Sequence, residues 1–427
     1  MAAGTKATSR LAAAEGNAAV VIGAGAIATA IARSLGRCDV EVFIWGSSFG
    51  PAKNCRYLAG FTDIYRDGED VSVGLWRAAL NGPRRGLLLP SNDDGVEFIA
   101  RRGSELLELG YELPEMDPEL ALRLIDKRAT YSLARGVGLE VPRTAPTGNG
   151  GAPDAALAGL AFPCGLKPVH SHRFARYFDG RDPRSPTLEK LFVVNGPGEL
   201  ETALRRSSEL GLEMLLTELV PGMDSELFSY VAYVDARGRI LTGFTFRKLR
   251  QYPPQYGVAS FTIEADFPDV AEAGRRFLGG IGYRGPAQVE FKRAPDGVLK
   301  LIECNPRLTI ELRHSKADLA HLVYEQSTGR RLRSDRGRRP VRRLWDPLPD
   351  VRGLRTQRRH GGTTIRRWVG GLLRGTGLHV FDPTDPGPTI GYHRRIALRR
   401  ARMLRGAITA WSPPARAGAT RPERVTR

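Results

Sequence analysis

The chain has 427 residues, 41% hydrophobic and 26% charged, which excludes collagen-like, disulfide-scaffold and wholly disordered classes and predicts two or three domains. Its formal net charge of +18 sits at one end. From Arg330 onward there are 25 Arg, no Lys and 6 Asp or Glu, so the first 329 residues are close to neutral.

Residues 1–17 read as a disordered N-terminus. Lys6 and Arg10 precede an Ala-rich stretch, but Glu15, Asn17, Gly23 and Gly25 interrupt it, which is wrong for a signal peptide. An apolar run at 19–23 reads as a strand, 26–36 as a helix and 40–45 as a second strand. A buried strand at 86–90 and a helix at 95–109 continue the alternation, which predicts a parallel α/β layer over 18–115. One long helix is expected from about 114–118 to near Gly138, and 146–153 reads as a loop. Strands then dominate: 163–168, 189–194, 213–220, 226–234, 239–246, 258–264, 286–293 and 298–304, with helices near 197–210 and 268–280. This is an α+β body, divided at 116–220 and 221–330, followed by an Arg-rich extension at 331–427.

Cys38, Cys55, Cys164 and Cys304 form no CxxC pair, which fits a reducing, cytoplasmic location. No stretch approaches the roughly 20 apolar residues needed to span a bilayer.

The segment 285–307 carries the most chemistry. Asp296-Gly297 between two strand-like runs signals a two-residue hairpin turn. Pairing about that turn sets Glu290 opposite Glu303 and Gln288 opposite Asn305, with Val289, Phe291, Ile302 and Cys304 on the core face. Opposed carboxylates repel unless a cation lies between them or one keeps its proton. An all-oxygen set suits magnesium or manganese. The alternative is a solvated acidic pair on an edge hairpin.

Glu303-x-Asn305-x-Arg307, preceded by Glu290, resembles the metal-binding end of the ATP-grasp superfamily. Further motifs follow the same order: Asp126-Lys127-Arg128, Val141-Pro142-Arg143-Thr144, Leu166-Lys167-Pro168 and Thr217-Glu218-Leu219-Val220-Pro221-Gly222. Phe246-Arg247-Lys248-Leu249-Arg250-Gln251-Tyr252-Pro253 is most similar to the carboxylate–amine ligases related to D-aspartate ligase. The resemblance implies an ATP-grasp fold behind a Rossmann-like pre-ATP-grasp layer, with a basic C-terminal extension. It implies an ATP-dependent carboxylate–amine (or carboxylate–thiol) ligase working through an acyl phosphate. One departure is His170-Ser-His172-Arg173-Phe-Ala-Arg176, standing where many members carry a glycine-rich phosphate loop.

The implied cofactors are ATP and Mg2+ (or Mn2+). Glu290, Glu303 and Asn305 would hold metal. Lys127, Lys167 and Lys248 would meet phosphate, Glu218, Leu219 and Val220 adenine, and Asp224 or Glu226 ribose. Arg307, Arg247 and Arg250 would be catalytic, stabilising transferring charge. The implied partners are a small-molecule carboxylate and an amine, and a homo-oligomer is compatible with the reading.

Two rival readings remain at this level. Gly23-Ala-Gly25-Ala-Ile-Ala28 satisfies a dinucleotide fingerprint between strand and helix, which would make the chain a nicotinamide oxidoreductase. The acid expected at the end of the second strand is missing, since Trp45 runs into Gly46-Ser47-Ser48. Alternatively, the tail docks a non-catalytic nucleotide-binding protein to an anionic membrane or to nucleic acid. Ile365, Trp368, Val369, Leu372 and Leu373 recur at helical spacing among arginines, for which packing on the ligase body is the first expectation, peripheral contact with an anionic membrane the second and nucleic acid the last.

Overall fold

The computed structural model describes residues 17–410 except 67–68, 83–85, 148–158, 174–190, 315–316, 334–339, 360–364 and 373–375. The expected N-terminus at 1–16 lies outside these residues.

Strands β1 (Ala18–Ile22), β2 (Glu41–Gly46), β3 (Leu58–Asp63) and β4 (Leu87–Pro90) form a parallel sheet in the order β3-β2-β1-β4. Strand β1 is wholly buried and apolar because helices cover both faces. Ala19 and Val21 pack with Ile31 and Leu35 of α1 (Ala26–Gly36). Val20 and Ile22 face Leu75 of α2 (Val71–Asn81) and Phe98 of α3 (Asp93–Glu108). Asn92 caps α3 by accepting from the Gly95 amide at 3.0 Å. The first fingerprint glycine, Gly23, and Gly46 at the end of β2 have a packing reason. A Cβ on Gly23, whose φ is +111°, would lie 2.3 Å from Ser91 Oγ, and one on Gly46 would lie 2.7 Å from Ala24 Cβ.

The single helix expected before Gly138 is two: α4 (Pro118–Ile125) and α5 (Lys127–Gly136). Asp126 breaks it. Its backbone is extended and its carboxylate accepts from the amides of Arg128 at 2.8 Å and Ala129 at 3.2 Å. Lys127 therefore opens a new helix rather than lying on the side of an old one.

Strands β5 (Thr144–Pro146), β6 (Cys164–Pro168), β7 (Phe192–Val194) and β8 (Met214–Glu218) make an antiparallel sheet, order β5-β8-β6-β7. Helix α6 (Pro197–Glu209) covers it, and Cys164, Leu166, Leu200 and Leu216 form its core.

The third sheet has seven strands: β9 (Leu227–Val234), β10 (Ile240–Tyr252), β11 (Val258–Glu264), β12 (Gly285–Arg293), β13 (Leu299–Asn305), β14 (Arg343–Trp345) and β15 (Thr376–Leu378), ordered β13-β12-β9-β10-β11-β14-β15. On one face Tyr230, Val289 and Phe291 pack with Tyr131 of α5 and Phe277 of α7 (Pro268–Gly280). On the other, Val231, Tyr233 and Phe246 share a core with α1 and α8 (Leu319–Thr328).

The Arg-rich extension is part of this body. Strands β14 and β15 lengthen the sheet, and three helices follow: α9 (Pro347–Arg359), α10 (Ile365–Leu372) and α11 (Gly387–Ala410). Asp350 of α9, buried, accepts from Arg250 Nε at 2.7 Å and Nη2 at 2.8 Å, from Ser260 Oγ, and from the indoles of Trp345 and Trp368. Farther on, Asp385 takes Arg33 Nε at 2.9 Å in a buried ion pair with α1. A buried carboxylate persists only when paired and hydrogen-bonded, and both of these are. Among the described residues no helix is long and apolar enough to cross a membrane.

Candidate active site

The β12–β13 hairpin pairs Glu290 with Glu303, Val289 with Cys304 and Gln288 with Asn305, as expected, although its turn differs. Ala294 N donates to Val298 O and Gly297 N to Ala294 O, each at 2.9 Å, with Gly297 at φ +85°. The loop therefore has three residues, closed by a left-handed glycine. This slips the strand register by one near the turn, and a bulge at Ile302 slips it back. The bulge also revises the core. Leu301 rather than Ile302 packs inward beside Val289, Phe291 and Cys304, while Ile302 lines a cleft. Tyr131 Oη donates to the Ile302 carbonyl at 2.9 Å, fixing the bulge to α5.

That cleft encloses about 780 Å³ open to solvent between the second and third sheets. Glu290 and Glu303 form one wall, and Lys127 and Lys167 another. Lys127 Nζ lies 3.8 Å from Glu303 Oε1 and donates to Ser171 Oγ at 2.6 Å. Lys167, buried on β6, donates to the Tyr131 hydroxyl. Burial, then repulsion from Lys127, pulls the Lys167 ammonium down to about 7, against a weaker upward pull from Glu303. From β10, Lys248 donates to Glu290. Glu218, Leu219 and Val220, expected from the resemblance to form the adenine-holding hinge, also line the cleft. Burial would raise the Glu218 carboxyl, but Lys300 and Arg143, the latter at 2.8 Å, hold it below the usual carboxylate range.

The remaining predicted residues are placed differently. Asn305 is buried beside the cleft, donating to Gln288 Oε1 at 3.3 Å and accepting from Arg307 Nη2 at 3.0 Å. Arg307 Nε donates at 2.7 Å to Asp93 of α3, tying the hairpin to the first sheet's layer. Arg247 pairs with Glu226 at 2.7 Å over the Phe228 ring, and Arg250 is bound by Asp350. These two arginines brace the strand that carries Lys248. Asp224 lies beneath the cleft rim, accepting from Gln251 Nε2 at 2.9 Å and the Gln255 amide at 2.7 Å.

The loop after β6 turns toward α3. His170 stands 3.9 Å from Asp126, and burial holds its ring at about 4, mostly uncharged at neutral pH. His172 Nε2 lies 2.8 Å from Glu97 Oε2, and Arg173 donates to the same carboxylate at 3.1 Å. Residues 174–176 lie outside the described residues.

Sequence reasoning missed Gln251, Gln255, Tyr256, Lys292 and Ile302, which also line the cleft. Strand alternation from Glu290 would have found Lys292, two residues on; the loop residues and the bulge carry no such pattern.

The donor set fits magnesium with nucleotide. No cluster of three or more His, Cys, Asp or Glu suited to a metal occurs among the described residues. Two opposed carboxylates and an adjacent amide instead match an ion that keeps part of its shell for water and phosphate oxygens. Lysines on the facing wall match the phosphates themselves.

No protein-family model and no curated protein sequence matches the chain. Solved structures do. An ADP complex of N5-carboxyaminoimidazole ribonucleotide synthetase superposes with a TM-score of 0.57 at 14% identity, over 81% of this chain and 85% of that one. The L-amino acid ligase from Bacillus licheniformis gives 0.54 at 16% identity, over 77% and 78%. The biotin carboxylase domain of 2-oxoglutarate carboxylase from Hydrogenobacter thermophilus, in complex with MgADP, gives 0.56 at 14%, over 74% and 70%. The chain has the ATP-grasp fold.

Proposed function

We propose that this chain is an ATP-dependent carboxylate–amine (or carboxylate–thiol) ligase that releases ADP and phosphate. The observation that carries the reading is the cleft itself: opposed Glu290 and Glu303 on one wall, Lys127 and Lys167 on the other, and hinge residues Glu218–Val220 beyond. The similar solved structures named above support it: two are complexes with ADP or MgADP, and they are a synthetase, a ligase and a carboxylase domain.

In this reading a substrate carboxylate attacks the terminal phosphoryl group of ATP, and an amine then displaces phosphate from the acyl phosphate. Glu290 and Glu303, with Asn305 alongside, would hold magnesium, which when bound would neutralise the terminal phosphates. The protein's own work is positioning and charge. Lys127 and Lys167 take the inner phosphates, Lys248 reaches the transferring group from Glu290, and Leu219 and Val220 offer backbone groups to adenine. Arg247 and Arg250 act by bracing β10 through Glu226 and Asp350. Arg307, braced by Asp93, stands where the N-terminal layer meets the reacting end and would stabilise the oxyanion.

The parallel first layer would serve as a Rossmann-like platform for the acceptor substrate. Small-molecule substrates, a homo-oligomer and a cytoplasmic location complete the reading. Ile390 and Leu398 are exposed on α11 beside arginines, which favours peripheral contact of that helix with an anionic membrane.

Hydroxylamine trapping tests the intermediate. With MgATP and the cognate acid, an acyl phosphate yields a hydroxamate without the amine; no hydroxamate in the presence of ADP formation would contradict it.

A further inference from the structure

Four lysines line the cleft, and three of them are engaged. Lys127 meets Ser171 and Glu303, Lys167 meets Tyr131, and Lys248 meets Glu290. Lys292 is only 6% exposed, yet its ammonium has no hydrogen bond or ion pair among the described residues. Asp224 and Glu226 attract it from a distance but do not pair with it; Asp224 is already occupied by Gln251 and Gln255, and Glu226 by Arg247. A cation mostly withdrawn from water without a protein partner is costly, and a ligand in the cleft that supplies the partner relieves that cost.

Its position narrows the ligand. Lys292 lies two residues beyond Glu290 on β12, so both face the cleft about 7 Å apart along the strand. Its cross-strand neighbour is Lys300, which binds the hinge carboxylate Glu218. Lys292 therefore stands between the carboxylate wall and the hinge. A nucleotide whose terminal phosphates lie at Glu290 and whose base lies at residues 218–220 must pass its ribose and α-phosphate across this point.

We infer that Lys292 is a nucleotide-recognition residue whose ammonium donates to an oxygen at the ribose–α-phosphate segment of the bound nucleotide. The inference rests on the nucleotide reading of the cleft and adds to it a contact that the family motifs do not supply. The three engaged lysines would serve phosphates from positions where protein groups already accept from them. Lys292 holds its donors in reserve for the ligand.

The test is calorimetric titration of the full chain with MgADP, with adenosine and with adenine, for wild type, Lys292→Met and Lys292→Gln, beside thermal melts. Wild type binds MgADP. Both variants weaken MgADP by tenfold or more, about 1.4 kcal/mol. Their melting temperatures stay at or above wild type, because no protein partner is lost. Equal weakening of adenosine with adenine unaffected places the acceptor on ribose, and weakening confined to MgADP places it on the phosphate; either outcome supports the inference, and weakening shared by adenine contradicts it. MgADP affinity within twofold of wild type in folded variants would overturn it, leaving a lysine whose tip is merely solvated. Failure of wild type to bind MgADP would overturn the nucleotide reading itself, and the inference with it.

Discussion

Glu290 and Glu303 face each other across adjacent antiparallel strands, and each carboxylate leads to a different lysine, Lys248 for the first and Lys127 at 3.8 Å for the second. Two like charges at paired positions destabilise a sheet unless something is held between them. Converting Glu303 to Gln therefore leaves the fold intact or slightly more stable while lowering turnover by about 10²- to 10³-fold. Chelation of magnesium abolishes turnover in wild type and variant alike. Steady-state rates beside thermal melts check this, and a variant with normal turnover contradicts it.

The buried ammonium of Lys167 ties nucleotide binding to protons. In the free protein it titrates near 7, below its ordinary value, because of burial and then Lys127. A phosphate beside it favours the charged form. MgADP binding at pH 8 accordingly takes up close to one proton, seen as a buffer-dependent heat, and Lys167→Met abolishes the uptake. The same depression adds a term to free-protein stability that rises as pH goes from about 7 toward the unfolded value of 10.5, since the unfolded chain then binds the extra proton. No buffer dependence in wild type contradicts the assignment.

Asp350 gathers five donors from β10, β11, β14 and α10. Asp350→Ala leaves the Arg250 guanidinium buried without its partner and costs about 3–5 kcal/mol. A lowered urea midpoint with unchanged slope reads this out. Truncation at Gly329 removes both Asp350 and Asp385, orphaning Arg250 and Arg33, and yields protein that does not fold. A soluble, cooperatively melting truncation contradicts the account.

Acid weakens the seam between α3 and the rest. Burial would raise Asp93, but the Arg307 charge outweighs it and holds the carboxyl below its usual value; His172 and then Arg101 do the same for Glu97 against burial. Both groups contribute stability above the ordinary carboxylate range, and that stability is lost as pH falls below about 4. Asp93→Asn flattens this acid limb in pH-dependent melts, and an unchanged limb contradicts it.

Much of the body was legible because burial writes a period into the chain. The helix at 26–36, the strand at 258–264 and the helix at 268–280 have the expected bounds. The Glu290–Glu303 pairing was legible for a less secure reason: two errors cancelled, a three-residue turn for two and a bulge at Ile302. The break at Asp126 was missed because an internal cap looks like any polar helix residue. β3 was missed because its residues are mostly part-exposed and do not alternate cleanly. The partners of Arg247, Arg250 and Arg307 could not be read at all. Asp350 is 100 residues from Arg250, and Asp93 is 214 from Arg307, and no local pattern reports contacts of that range.

The most direct test of the account is the identity of the nucleotide product. Purified protein with MgATP and pooled carboxylates and amines is resolved by chromatography, beside a Glu303→Ala control. The account predicts substrate-dependent ADP and phosphate, lost in the control. AMP and pyrophosphate would contradict it.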